Sequence, residues 1–152
     1  MGRLRDDGAM RMSTRGDYAA RALLSLALHG TDRPTSVKEI AERTHLPQPY
    51  LEQILLSVKG AGLVRSKRGV GGGYVLAREP REITLADIVS AVEGPQIVLA
   101  EHPDHCEGHC ILQEVWVGVD DESRRILERV TLAELVARTR VGHPDAAPDP
   151  AR

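Results

Sequence analysis

The sequence predicts a mainly α-helical fold with a small β-hairpin and a long helix near the C-terminus. Three observations lead to this fold class. Aromatic residues make up 3% of the chain and Phe is absent, so the core must be built from Leu, Val, Ile and Ala, which favours helices. Several segments carry apolar residues at three- and four-residue spacing, as amphipathic helices do. Two short alternating segments, 63–66 and 74–76, flank a glycine-rich turn at 69–73, which is typical of a hairpin.

Local start signals place the helices. Ser36 followed by Glu39, and Thr84 followed by Asp87, are capping pairs in which each side chain can satisfy a free backbone N–H. Pro47 suits the first turn of a helix. With the apolar spacing, these signals predict a first helix that follows Ser13 and runs to about residue 28. Further helices are predicted from 36, at 47–60, at 84–93, at 111–129 and, as a short last helix, from 131.

Composition and pattern divide the chain into five parts. Polar residues without a period predict a disordered leader at 1–9, and a tail rich in Pro, Ala and Asp predicts disorder at 141–152. Two short helices, a tight turn and a hairpin define a winged helix-turn-helix domain at 10–95. An irregular loop at 96–110 holds both cysteines and is the candidate sensor. The apolar stripe within 111–140 is too long for a small domain to bury, which predicts a dimerisation helix followed by a closing short helix.

The charge distribution points to a polyanionic partner for the first half of the chain. Residues 1–75 carry 12 Lys or Arg against 7 Asp or Glu, whereas residues 76–152 carry 8 against 15. Chance clustering on solvated faces is the alternative, so charge alone leaves both interpretations open. No apolar run reaches the roughly 18 residues of a membrane span, and residues 1–10 lack the apolar centre of a signal peptide. We therefore expect a cytoplasmic protein without a membrane partner.

The second helix of a helix-turn-helix pair enters the major groove of DNA, where base edges can be distinguished. The exposed side of this predicted helix presents Gln48, Tyr50, Glu52 and Gln53. Gln pairs well with adenine, and Glu accepts a hydrogen bond from the cytosine amine. A solvent-facing helix edge without a partner is the alternative interpretation, and the predicted wing weakens it.

The predicted wing concentrates cations on a narrow glycine loop. Arg65, Lys67 and Arg68 lie on or beside this loop, at positions that no core could use. Such cations suit phosphate contact or insertion into the minor groove. The run at 69–73 differs from a nucleotide-binding P-loop, because no Gly-Lys-Ser/Thr follows and a strand comes next. No catalytic arrangement can be argued, so an enzyme is not expected, and a pure interaction module is the remaining alternative.

Cys106 and Cys110 are the two cysteines of the chain. A disulfide is not expected in a cytosolic protein, so a close pair there predicts a metal site or a redox site. The spacing differs from the Cys-x-x-Cys of thiol oxidoreductases, and no βαβ pattern surrounds it. The pair therefore does not indicate a thiol oxidoreductase.

Several motifs resemble the Rrf2 family of winged-helix transcriptional regulators, which includes iron–sulfur and nitric-oxide-sensitive members. The YLEQ segment at 50–53 and the RGVGGGY segment at 68–74 are together highly specific. The resemblance covers about residues 10–137 and is carried by segments 11–19, 40–43, 50–55, 62–74, 83–88, 92–95 and 131–135.

This resemblance implies a homodimer that crosses long C-terminal helices and binds a near-palindromic operator in double-stranded DNA. It places the YLEQ segment on the recognition helix and Arg68-Gly69 on the minor-groove wing. Pro47 and Pro49 stand where other members have small hydroxyl residues, so a different operator is expected. The candidate DNA contacts are Thr14, Gln48, Tyr50, Glu52, Gln53, Arg65, Lys67, Arg68 and Gly69.

Cluster-binding members of the family hold three cysteines spaced Cys-x5-Cys-x5-Cys. A fourth ligand follows as a His, or comes from an acid in the first helix of the partner subunit. By this resemblance Cys110 matches the third cysteine, and Cys106 matches the second with a shortened spacing. Gln113 occupies the position of the His and is a poor iron ligand. Asp17 matches the acid, and the first cysteine position falls near His102.

Any metal bound by this chain would therefore have a mixed ligand shell that contains the two thiolates. Asp17, His102 or His109 would supply the remaining ligands, and His105 and Glu101 are further candidates. Thiolates favour iron–sulfur clusters or zinc, and imidazole accepts both. The main expectation is a redox-sensing [2Fe–2S] cluster whose state sets DNA affinity. A zinc site or a simple thiol switch, and a metal-free loop, are the alternatives. For each single His, a solvated loop position is the simpler interpretation.

Overall fold

The computed structural model describes residues 13–29, 32–93 and 107–142. The predicted leader, the tail beyond residue 142, and Cys106 and His102 lie outside the described residues. Six α-helices, a short 3-10 helix and one β-hairpin make up the described ranges. In chain order they are α1 (Thr14–Leu28), α2 (Val37–Thr44), α3 (Gln48–Gly60), β1 (Val64–Lys67), β2 (Gly73–Leu76), the 3-10 helix (Pro80–Glu82), α4 (Leu85–Glu93), α5 (His109–Glu128) and α6 (Leu132–Val141).

Side-chain caps begin α2 and α4 within one residue of the predicted positions. At α4 the capping pair is reciprocal: the Thr84 N–H donates to the Asp87 carboxylate at 3.0 Å, and the Asp87 N–H donates to the Thr84 hydroxyl at 3.1 Å. At α2 the Glu39 N–H donates to the Ser36 hydroxyl at 3.2 Å. The Glu39 carboxylate, however, lies 3.5 Å from the Arg43 guanidinium and pairs there. Both caps satisfy backbone donors that a helix start leaves free.

One hydrophobic core joins α1, α3, α4 and the closing helix α6. The members that are at most 1% exposed are Ala19, Ala22, Leu23, Ile40, Leu51, Ile54, Leu55, Val58, Ile83, Ile88 and Leu132. Leu132 belongs to α6, which was predicted as the closing helix beside the dimerisation helix. The Leu132 N–H donates to the Ile83 carbonyl at 2.9 Å, and the Leu85 N–H donates to the Val130 carbonyl at the same distance. The chain therefore leaves the winged-helix core through α5 and rejoins it through α6.

The hairpin is attached to the segment before α2. Thr35 and Tyr74 exchange two backbone hydrogen bonds, of 2.9 and 2.8 Å, in a bridge that was not predicted from the sequence. Gly73, opposite Lys67 in the hairpin, has a φ of +149°, and a Cβ there would stand 2.3 Å from the Thr35 carbonyl oxygen. Glycine fits because it has no Cβ and tolerates positive φ. Gly73 therefore allows the wing to lie against the helix-turn-helix.

α5 is the longest helix of the described ranges, and none of its 20 residues is buried. It begins at His109, two residues earlier than predicted, so His109 and Cys110 lie in its first turn and not in the loop assigned to 96–110. Gly108 sets this start: its φ is +80°, and its carbonyl accepts a hydrogen bond from the Leu112 N–H at 3.2 Å. Like every helix in the described ranges, α5 is not long and apolar enough to cross a membrane.

Candidate nucleic-acid interface

A tight turn joins α2 to α3 and completes a helix-turn-helix. His45 takes a left-handed backbone conformation with φ +56°, which His tolerates better than most non-glycine residues. Its N–H donates to the Ala41 carbonyl. Leu46, the next residue, is buried in the core. The left-handed residue reverses the chain and the buried leucine fixes the turn, so α3 is held at a defined angle to α2.

α3 has a buried face and an exposed face. Leu51, Ile54, Leu55 and Val58 pack in the core. The opposite side, which we call the reading face, consists of six exposed residues: Gln48, Pro49, Glu52, Gln53, Leu56 and Lys59. Side chains three and four residues apart share one side of a helix. The structure therefore brings three of the four predicted recognition-helix residues together on one solvent-facing surface.

Tyr50 lies on the flank of α3 and not on the reading face. The residue is 41% exposed, and its ring packs edge-on against Tyr18 of α1, with 5.6 Å between ring centroids and 85° between ring planes. The Arg21 guanidinium lies 5.9 Å from the centroid of the Tyr18 ring. Aromatic pairs in this geometry attract each other. Tyr50 therefore connects the recognition helix to α1.

The start of α1 lies beside the second half of α3. Thr14, a predicted DNA contact, is the first residue of α1 and is exposed. Its neighbour Arg15 places a guanidinium nitrogen 3.5 Å from the Ser57 hydroxyl of α3. Hydroxyl groups, guanidinium groups and helix N-termini are common contacts to DNA phosphates. The structure thus places the first turn of α1, which contains Thr14, beside the recognition helix.

The wing presents three cations to solvent. Arg65, Lys67 and Arg68 are all exposed, and within the described ranges none of them forms an ion pair. By contrast, Arg21 and Arg124 each lie within 3.4 Å of a carboxylate oxygen on their own helices. Cations without a protein partner are available to phosphates. The wing is therefore positively charged where it projects.

Glycine gives the wing a narrow tip. Gly69 and Gly71 have φ values of +96° and +73°, and the Gly72 N–H donates to the Gly69 carbonyl at 3.0 Å. A Cβ on Gly72 would stand 2.3 Å from the Lys67 carbonyl oxygen. Glycine alone combines these φ values and close approaches without strain. The result is a thin loop of a size that fits a groove of DNA.

The predicted metal ligands that the structure describes do not form a metal site. Cys110 stands in the first turn of α5, and its sulfur is disulfide-bonded, contrary to the expectation from the sequence. The Asp17 carboxylate pairs with Arg21 at 2.8 Å. No group of three or more His, Cys, Asp or Glu within the described ranges could hold a metal ion. Cys106 and His102, the other predicted ligands, fall outside those ranges.

The end of α4 is bonded to the first turn of α1. Glu93, the last residue of α4, accepts a hydrogen bond from the Gly16 N–H at 3.2 Å, and the Ser13 hydroxyl accepts from the same N–H at 3.2 Å. A carboxylate at this position also interacts favourably with the helix dipole of α1. The candidate sensor segment follows soon after Glu93 in the chain. The sequence carries no signal for this bond, because 77 residues separate its two groups.

One side of α5 carries exposed apolar side chains. This α5 stripe consists of Leu112, Val115, Trp116, Val119, Ile126 and Leu127, none of which is buried. The spacing of three and four residues places them on the same side of the helix. Exposed apolar patches of this extent mark partner surfaces in soluble proteins.

Leu56 was not among the residues predicted to contact DNA. This side chain is 57% exposed in the middle of the reading face, although Leu is ordinarily assigned to the core. The apolar period of α3 could have shown that this leucine is exposed, because position 56 falls outside the buried series formed by Leu51, Ile54, Leu55 and Val58. Leu56 is therefore an apolar part of a surface that is otherwise mostly polar.

Comparison with known proteins identifies the family. The Rrf2 model, described as an iron-dependent transcriptional regulator, matches residues 12–138. The HTH-type transcriptional regulator CymR of Bacillus subtilis is 37% identical over 134 residues, which cover 86% of this chain and 92% of CymR. The structure of T. potens IscR aligns with a TM-score of 0.73 at 35% identity and covers 91% of this chain and 95% of that one. The structure of CymR, described as the global cysteine regulator of B. subtilis, aligns with a TM-score of 0.71 at 35% identity, covering 86% of this chain and 98% of that one. The chain therefore belongs to the Rrf2 family of winged-helix transcriptional regulators, which are DNA-binding proteins rather than enzymes.

Proposed function

We propose that this regulator binds a near-palindromic operator in double-stranded DNA as a homodimer, with α3 in the major groove and the wing in the minor groove. The observation that best supports the proposal is the set of three exposed wing cations that no described carboxylate neutralises. Gln48, Glu52 and Gln53 offer the amide and carboxylate groups that distinguish bases in the major groove. The DNA-binding role also leads us to infer a cytoplasmic location.

The α5 stripe supports the homodimer. A helix of 20 residues is about 30 Å long, and its exposed apolar side could pack against the same side of a second copy. A twofold dimer places two reading faces in related orientations, and a near-palindromic operator has matching half-sites. The same helix would therefore determine the distance between the half-sites.

Replacing Arg68 with Ala tests the role of the wing. We expect the Arg68→Ala variant to bind all DNA sequences more weakly, because a lost phosphate contact carries no sequence information. The slope of log affinity against log salt concentration should fall by about 1 per half-site. Arg81→Ala is a matched control, because Arg81 is an exposed arginine paired with Glu79 at 2.6 Å on the 3-10 helix. Unchanged affinity and slope for Arg68→Ala would show that the wing does not contact DNA.

Replacing Glu52 with Ala separates base recognition from phosphate contact. Glu52 is exposed on the reading face, and we expect its loss to relax the preference at one base step per half-site by about 1–3 kcal/mol. The salt dependence should stay as in the wild type, since no phosphate contact is removed. Competition binding with operators varied at each position measures both quantities. Equal loss on every sequence would contradict a base-reading role for Glu52.

The sensing mechanism has two candidate forms, and the described residues favour the one without a cluster. The [2Fe–2S] cluster predicted from the sequence would need the Cys110 thiolate and a carboxylate or imidazole beside it. Cys110 is disulfide-bonded, and a disulfide sulfur is not the thiolate that a cluster needs. The description of the family as iron-dependent is what supports the cluster.

We propose as the second candidate that Cys106 and Cys110 form a thiol–disulfide switch. Disulfides in cytosolic proteins are usually transient, and many of them sense redox state. A hydroperoxide would supply the oxidising equivalents: two thiols and hydrogen peroxide give one disulfide and two water molecules. A cellular dithiol would return the pair to thiols by exchange. The structure of a relative, CymR of Staphylococcus aureus, is described as an oxidized form, which supports this candidate.

One set of samples distinguishes the two forms. Protein purified without oxygen is examined by absorbance, by iron and sulfide analysis, and by thiol counting under denaturing conditions before and after peroxide. The switch predicts iron-free protein that loses two thiols on oxidation and changes its operator affinity at the same time. In the Cys106→Ser and Cys110→Ser variants, peroxide should form no intramolecular disulfide and should leave operator affinity unchanged. Coloured protein containing iron and sulfide, lost in both variants, would establish the cluster instead. Iron-free protein with the same affinity before and after peroxide would rule out both.

A further inference from the structure

The reading face contains an apolar position that the proposed contacts of α3 do not use. Leu56 lies four residues after Glu52 and three after Gln53, so its side chain shares their side of the helix. It is 57% exposed, whereas the neighbouring leucines Leu51 and Leu55 are completely buried. Leu56 is thus not a core residue displaced by a local irregularity, because α3 is regular from Gln48 to Gly60 and its core series is complete without residue 56.

The chemistry of the major groove limits what such a side chain can recognise. Base edges there present hydrogen-bond donors and acceptors and one apolar group, the C5-methyl of thymine. A leucine cannot donate or accept, so it discriminates only through that methyl group. Burying a methyl against it removes apolar surface of both partners from water, which is favourable. Beside cytosine, Leu56 would remove the polar amine from water without returning a hydrogen bond.

We propose that Leu56 reads a thymine methyl group in each operator half-site, as part of the DNA binding proposed above. Four residues of helix rise span about 6 Å, which is the rise of roughly two base pairs. The thymine therefore lies about two base pairs from the base read by Glu52.

The test uses the chemical difference between thymine and uracil, which is the methyl group alone. An operator is first selected from random duplexes with the wild-type homodimer, and each thymine is then replaced in turn by deoxyuridine. We expect one position per half-site at which the replacement weakens wild-type binding about fourfold, the value of one buried methyl. The same replacement should leave the affinity of the Leu56→Ala variant unchanged, because that side chain no longer reaches the methyl.

Two controls make the outcome specific. Alanine is the best helix former and Leu56 is exposed, so Leu56→Ala should unfold at the wild-type temperature. Val141→Ala removes an exposed apolar side chain at the end of α6 and should keep the response to deoxyuridine. If no thymine shows a methyl effect that depends on Leu56, the inference is wrong while the proposed function stands. If the wild type selects no operator at all, the proposed function fails first.

Discussion

Replacing Gly73 with Ala is expected to destabilise the protein more than alanine at any other glycine of the wing. The added Cβ would stand 2.3 Å from the Thr35 carbonyl oxygen, and the φ of +149° is unfavourable for any residue with a Cβ. Backbone strain and the forced displacement together should cost about 3–5 kcal/mol. Thermal unfolding should then begin roughly 10–15 °C lower, or the protein should fail to fold at the expression temperature.

Gly71→Ala is the matched control for this prediction. Gly71 also has a positive φ, of +73°, but a Cβ there would meet nothing within 4 Å. Its replacement should cost only the left-handed backbone penalty of about 1–2 kcal/mol. The difference between the two variants isolates the contact with Thr35. Equal melting temperatures for Gly71→Ala and Gly73→Ala would mean that the wing is not attached to the helix-turn-helix as described.

The second large effect is expected at the centre of the α5 stripe. Wild-type protein should sediment as a dimer at micromolar concentration, and Trp116→Glu should convert it to a monomer because a charge would be buried without a partner. Binding of the two half-sites would then no longer be linked, so operator affinity should fall by about a hundredfold or more. Analytical ultracentrifugation and operator titration measure the two consequences.

Val117 provides the control for the substitution in the stripe. It is adjacent to Trp116 and 45% exposed, but it lies on another side of α5, outside the α5 stripe. Val117→Glu should therefore leave both the dimer and operator affinity intact. A wild-type protein that is monomeric at micromolar concentration, or a Trp116→Glu variant that remains dimeric, would contradict the proposed interface.

Features specified by short stretches of sequence were predicted correctly. The capping pair of Thr84 and Asp87 and the glycine turn of the hairpin involve residues only a few positions apart, and the structure has both where they were expected. The recognition helix was placed within one residue because its buried period and the preceding Pro47 coincide. These signals depend on local backbone geometry, which a sequence pattern expresses directly.

Features that join distant parts of the chain were not predicted. The hydrogen bond between Gly16 and Glu93, the bridge between Thr35 and Tyr74, and the return of Leu132 to the core all depend on how the helices pack. The position of Tyr50 on the flank of α3 has the same origin, since it follows from contact with Tyr18. Periodicity shows which side of a helix is apolar but not which element covers it.

The attachment of α5 has a mechanical consequence. Its C-terminal end is fixed to the winged-helix domain by the hydrogen bonds at Val130 and Leu132, whereas Cys110 lies at the opposite end. A tilt of only about 5° at the fixed end would move the other end of a 30 Å helix by about 2.6 Å. That displacement approaches the 3.4 Å spacing between successive base pairs. In the proposed dimer, a small rearrangement at the Cys110 end of α5 would therefore tilt the winged-helix domain attached to the other end. The recognition helix of that subunit would lose its alignment with its half-site, although the winged-helix domains of both subunits stay folded.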